Sequence, residues 1–151
     1  MAIAISLHLL AAVVWVGGMF FAYMALRPVA GSLLERPMRL TLWSQVFRRF
    51  FPWVWVSIVV LLATGYWMIF AAYGGMANVG WHVHAMLGLG IVMMLIFAHL
   101  YFAPFKRLKK AVSEQTWSDG GVQLNRIRLT IAINLALGLL VTVIGSAGRY
   151  L

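Results

Sequence analysis

The chain carries four histidines, nine methionines and no cysteine. Imidazole and thioether are therefore its soft metal ligands, and disulfides, iron–sulfur clusters, thiolate sites and a cysteine nucleophile are excluded. His8, His84 and His99 fall within long apolar stretches, where an ionisable residue is costly and so a functional candidate by default. His8 stands about six residues into the first stretch and His84 about four into the third, so on parallel helices they share one depth. Two histidines at one level of a four-helix bundle can hold a haem iron as axial ligands. We therefore expect haem b, with His8 and His84 as its iron ligands.

The neighbours of these residues bear on that expectation. Ala12 and Gly88 follow the two histidines by one turn, and Gly17 beside Gly18 opens a further gap, leaving a flat macrocycle room to approach. Small residues are equally the close-packing residues of membrane helices. His82 and His84 point about 160° apart on a helix, so only one faces the bundle. His84 is the choice because Gly88 and Ile91 continue its face; His82, beside Trp81, reads as a solvated cap and remains the alternative ligand. His99 lies ~22 Å deeper than His84, with no histidine partner at that depth. It is a structural residue or a proton or quinone site, with Tyr23, Arg27 and Asn134 as its conceivable neighbours. Arg149 is either a partner for haem propionates or a headgroup anchor. A copper ion is the alternative cofactor, approached through Met1, Met76, His8 and His82 on one side of the membrane. Most of the other methionines read as packing residues.

The elements that must position these residues follow from composition. Of 151 residues, 64% are hydrophobic and 10% charged, with a mean hydropathy of +0.93; a soluble domain is about a quarter charged. Stretches of about 20 apolar residues, long enough to cross the hydrocarbon, occupy Ala2–Leu26, Phe51–Tyr73, Val83–Phe105 and Leu129–Ala147. The expected fold is thus an all-α integral membrane protein, an antiparallel four-helix bundle forming a single domain over residues 1–151. The first stretch has no basic leader and is too long for a signal-peptide core, so it reads as a retained span. Pro28 is expected to end it, and Pro52 to sit in the first turn of the second. Trp53, Trp55, Trp67, Trp81 and Tyr73 read as interfacial anchors. Gly31–Gln45 and Ala111–Asn125 are either short helices lying on the membrane surface or solvated loops.

The net charge of +9 would suggest nucleic acid in a polar chain, but the charges here lie between spans and report topology. Eleven of the twelve Lys and Arg residues sit in the first and third connections, leaving only Arg149 at the far end. The positive-inside rule makes those connections cytoplasmic and both termini external, in a bacterial inner membrane.

The run His8-Leu-Leu-Ala-Ala-Val-Val-Trp15-Val-Gly17-Gly18, followed by Arg27-Pro28, resembles the opening helix of the copper-resistance D (CopD) membrane family. The stretch from Trp81-His-Val-His84 through Ala98-His99 to Lys106–Lys110 resembles that family too. The resemblance implies copper uptake; larger members carry additional helices, and this stretch corresponds to a four-helix unit. The first span is also similar to HemJ-type protoporphyrinogen oxidases, which bind haem through a first-span His, here His8. Where that family has an important Lys, this chain has His84, a change that favours a bis-His electron carrier. The reading is thus a haem b protein transferring electrons between a quinone and a periplasmic redox partner, as a haem-dependent oxidoreductase if an enzyme. A homodimer is left open, and copper transport and porphyrinogen oxidation are the alternatives. The topology has a direct check. A reporter fused after Leu151 should read as external, and a cytoplasmic signal would reverse the orientation.

Overall fold

In a computed structural model that describes residues 1–151, the chain is helical throughout and has no strand. Four helices are long and apolar enough to cross a membrane: α1, Ala2–Leu33; α2, Arg36–Ala72; α3, Trp81–Ser113; and α4, Trp117–Tyr150. All four outrun the apolar stretches read from composition. The first connection is reduced to Leu34–Glu35 and the third to Glu114–Thr116.

Gly31–Gln45 and Ala111–Asn125 are therefore neither surface-lying helices nor loops. They extend the spans and bury their apolar residues against one another: Leu40, Trp43 and Phe47 of α2 join Leu108 of α3 and Ile127 of α4 in the core. Gly120 permits the closest approach, since a Cβ there would lie 3.1 Å from Leu40 Cδ1. The chain breaks at Leu34 and Glu35, both extended, just ahead of Pro37 in the first turn of α2. A proline needs no donor in a first turn and has its φ already set for a helix, so it suits the start of α2.

The prolines also depart from expectation. Pro28 does not end the first helix, which runs on through a widened turn at Ala22–Leu26 to Leu33. Pro52 lies in the interior of α2 rather than at its start, because burial of the preceding amphiphilic stretch starts that helix four turns earlier. Pro104 sits within another widened turn, Tyr101–Phe105. A widened turn relieves the clash between the proline ring and the carbonyl of the preceding turn, so the helix bends without breaking.

Packing divides the bundle into two hairpins. α1 lies along α2 and α3 along α4, while α2 meets α3 mainly through Tyr101–Ser113. Their union is aromatic. Phe51 stacks on Phe47 at 4.9 Å and meets Phe105 at 4.8 Å and Phe97 at 5.2 Å edge-on, while Trp55 caps Phe97 at 5.1 Å. Lipid gives helices no hydrophobic drive to associate, so such van der Waals contacts carry the assembly. Each aromatic pair adds roughly 0.5–1.5 kcal/mol beyond area. No residue of α3 ahead of Met93 is buried, so the core belongs to the end of the bundle that carries the basic connections.

Gly138 marks a close approach of three helices in mid-bundle. It is buried, and a Cβ there would lie 2.9 Å from Val16 Cγ2 of α1 and 3.2 Å from Met93 Cε of α3. Gly138→Val should push the helices apart and cost about 1–3 kcal/mol, read as an earlier thermal transition in detergent. A variant as stable as the parent would mean that the contact is slack.

Candidate functional site

The four histidines occupy three different environments. His8, half-buried on α1, faces α2, where its Nδ1 lies 2.8 Å from Thr64 Oγ1. Thr64 Oγ1 in turn stands 2.6 Å from the carbonyl of Val60, a separation that requires the hydroxyl proton between the two oxygens. With that proton committed, the hydroxyl can only accept from the imidazole, so His8 carries its hydrogen on Nδ1. The lone pair is then on Nε2. A ring nitrogen fixed by a hydrogen bond while the other is left free is the arrangement that orients a metal-binding histidine. The ring rests on Gly65, where a Cβ would stand 3.5 Å from Cε1.

His82 and His84 exchange the places expected of them. The buried face of α3 is marked by Met93, Phe97 and Leu100; at ~100° per residue His82 lies about 20° from Met93 and His84 about 180°. His84 is accordingly exposed and His82 half-buried. His82 packs on Gly148, which is buried at the end of α4. Gly88 and Ile91 do continue the face of His84, but that face is the exposed one. One turn beyond His82, Met86 reaches Gly145, where a Cβ would stand 3.1 Å from its Sδ. Gly145 and Gly148 thus make room on α4 for an imidazole and a thioether on one face of α3. His99 is also exposed. The neighbours suggested for it are engaged elsewhere: Arg27 stacks 4.3 Å over Tyr23, and Asn134 Nδ2 donates to the Met93 carbonyl at 3.2 Å.

Haem held between two imidazoles requires both to face one gap. His8 turns toward α2 and His84 away from the bundle, so the pair does not fit that group within one chain. Ala12 is half-buried, Gly17 and Gly88 are exposed with open space where a side chain would stand, and Arg149 lies exposed over Tyr150 at 5.1 Å. None of these residues lines either of the two main cavities. No three His, Asp or Glu side chains converge as a metal site.

Two cavities occur instead near the basic end. The larger, about 970 Å³, is open and lined by Arg27, Arg36, Arg39, Arg126 and Arg128. The smaller, about 280 Å³, is apolar except for Asn134, whose buried Oδ1 has no partner. Thr64 and the convergence of the arginines escaped the sequence reading. A lone Thr followed by Gly in an apolar run was the available signal for the first.

Residues 44–147 match the family model described as copper resistance protein D. The chain belongs to the copper resistance protein D family. It is accordingly a multi-pass membrane protein in contact with the bilayer, and its four apolar helices fit a bacterial inner membrane. No curated protein and no solved structure matches the chain. The match takes in His82, His84 and His99 and begins after His8.

The imidazole geometry can be tested without any ligand. Thr64→Val keeps the side-chain shape but removes the acceptor for Nδ1–H. Nitrogen NMR of the labelled imidazole should show His8 passing from the Nδ1–H tautomer to a mixture, with His82 unchanged. An unaltered His8 spectrum would remove Thr64 as the orienting group.

Proposed function

We propose that the chain handles copper as cargo at the membrane, with His82 and Met86 as an imidazole–thioether pair and His8 as a second imidazole station. The reading rests on the family match, which spans both residues of the pair. Their placement supports it. Both pack against glycines of α4, and imidazole with thioether suits Cu(I) while offering little to hard cations. His8 adds an oriented, neutral nitrogen at the same end of the bundle as the two chain termini. Under the proposed orientation that end is external, where an arriving ion would first meet the protein.

Electron transfer through a haem has no comparable support, since the imidazoles assigned to it face different ways. The two readings separate in one preparation. The detergent-purified protein should be colourless and bind Cu(I), whereas a low-spin haem spectrum would overturn the copper reading. In cells, His82→Ala and Met86→Leu should each lower copper accumulation about tenfold, the scale of losing a ligand or its support. His84→Ala and His99→Ala, on exposed positions, should leave it near the parent level. Equal loss in all four variants would point to structural damage rather than to a copper path.

A further inference from the structure

The arginines of the larger cavity are not explained by handling a cation. They come from three helices, Arg27 from α1, Arg36 and Arg39 from α2, and Arg126 and Arg128 from α4, and no acidic side chain lines the space they share. The three acids of the chain, Glu35, Glu114 and Asp119, are all exposed. A general excess of positive charge at one membrane face would scatter Lys and Arg alike. Here the five basic residues that line the cavity are all arginine, while the three lysines, Lys106, Lys109 and Lys110, lie outside it together with Arg48, Arg49 and Arg107. Arginine presents a planar fork of donors that matches phosphate oxygens two at a time, which an ammonium does not.

The cavity is shaped as well as charged. Gly31 and Gly121 line it, placing bare backbone beside two of the guanidinium groups. A Cβ on Gly121 would stand 3.8 Å from Arg36 Cζ, and one on Gly31 4.0 Å from Arg39 Nη1. Arg27 is held from behind by the Tyr23 ring and donates to the Tyr23 carbonyl through Nε at 3.3 Å, leaving its two terminal nitrogens for a ligand. The apolar cavity adjoins this one, because Ala22, Phe47 and Ile131 line both. Its further walls include Trp15, Phe50, Phe51 and Phe97. A polar, cationic mouth thus abuts an aromatic chamber within the bundle, the two sharing a wall.

We propose that this composite cavity binds a phosphate group carried by an anionic phospholipid, the headgroup lying among the five arginines and part of an acyl chain entering the aromatic chamber. Basic pockets between membrane helices recognise anionic headgroups through the same charge-assisted hydrogen bonds. A free phosphate would use the mouth alone and leave the chamber without a role.

Native mass spectrometry of the full chain in neutral detergent tests this, with dioleoylphosphatidylglycerol, dioleoylphosphatidylcholine and inorganic phosphate as probes. Phosphatidylglycerol should bind about tenfold more tightly than phosphatidylcholine, and millimolar phosphate should not displace it. Arg36→Gln with Arg126→Gln should weaken phosphatidylglycerol about thirtyfold, the effect of two lost charges. Lys109→Gln with Lys110→Gln, an equal change of charge outside the cavity, should leave its affinity within about twofold. Gly121→Leu keeps every charge and fills space beside Arg36; it too should weaken binding. Equal losses in the arginine and lysine variants would reduce the effect to surface attraction and overturn the site. Displacement by phosphate would reassign the cavity to the free anion and overturn the lipid assignment.

Discussion

The aromatic cluster centred on Phe51 is the contact on which the arrangement of this bundle depends. Within lipid, helices of this composition gain nothing from hiding apolar surface, so what unites two hairpins must be shape, ring against ring. Phe51 supplies it by touching Phe47 of its own helix and Phe97, Tyr101 and Phe105 of α3. Because these rings all belong to the basic half, the two hairpins are joined there, and α3 contributes no buried residue ahead of Met93. The histidines consequently divide between hairpins. His8 answers to α2 through Thr64 and His82 to α4 through Gly148, with neither dependent on the other.

The same cluster accounts for the cavities. Phe47 walls both of them, and the ends of α1, α2 and α4 that pack beyond it bring their arginines around the larger one. Five guanidinium groups in one space repel each other, and a fold that holds them there without an acid has left the compensating charge to something outside the chain. That distinguishes these arginines from Arg48, Arg49 and Arg107, which line neither cavity.

The number and type of helices were legible in composition because a span needs only length and apolarity, and both are properties of a local run. Helix ends were not. Pro28 reads as a stop in isolation, yet a single widened turn absorbs it; whether a chain takes that path depends on packing beyond the proline, where Ala30 is buried. His82 and His84 show the same limit. Their opposition was calculable from helical geometry, but the choice between them turned on Gly88, whose small size signals close approach only when something approaches. Nothing in the chain does. The informative glycines were Gly145 and Gly148, about sixty residues away on another helix, and only tertiary structure connects them with Met86 and His82. Thr64 was invisible for a related reason: a hydroxyl in an apolar helix ordinarily bonds its own backbone, as this one does to Val60, and its second role appears only when His8 is placed opposite.

The division of imidazoles between hairpins also separates the two chemistries that such residues suggest. A bis-His haem needs two ring planes held on opposite sides of one rigid disc, so its ligands must converge and remain fixed. A transported ion has the opposite requirement. Binding must be strong enough to draw the ion in yet weak enough, or spread over enough stations, to let it go. The soft-ligand stations proposed here, one an imidazole whose tautomer is set by a hydroxyl and another an imidazole–thioether pair against glycines, would suit that second requirement rather than the first. The oriented Nε2 of His8 offers an ion a single donor without closing a cage around it. The arginines at the opposite end do not contradict passage of a cation if their charge is neutralised by a bound phosphate. An anion seated among them removes the electrostatic barrier that five unpaired guanidinium groups would otherwise present to any positive ion leaving on that side.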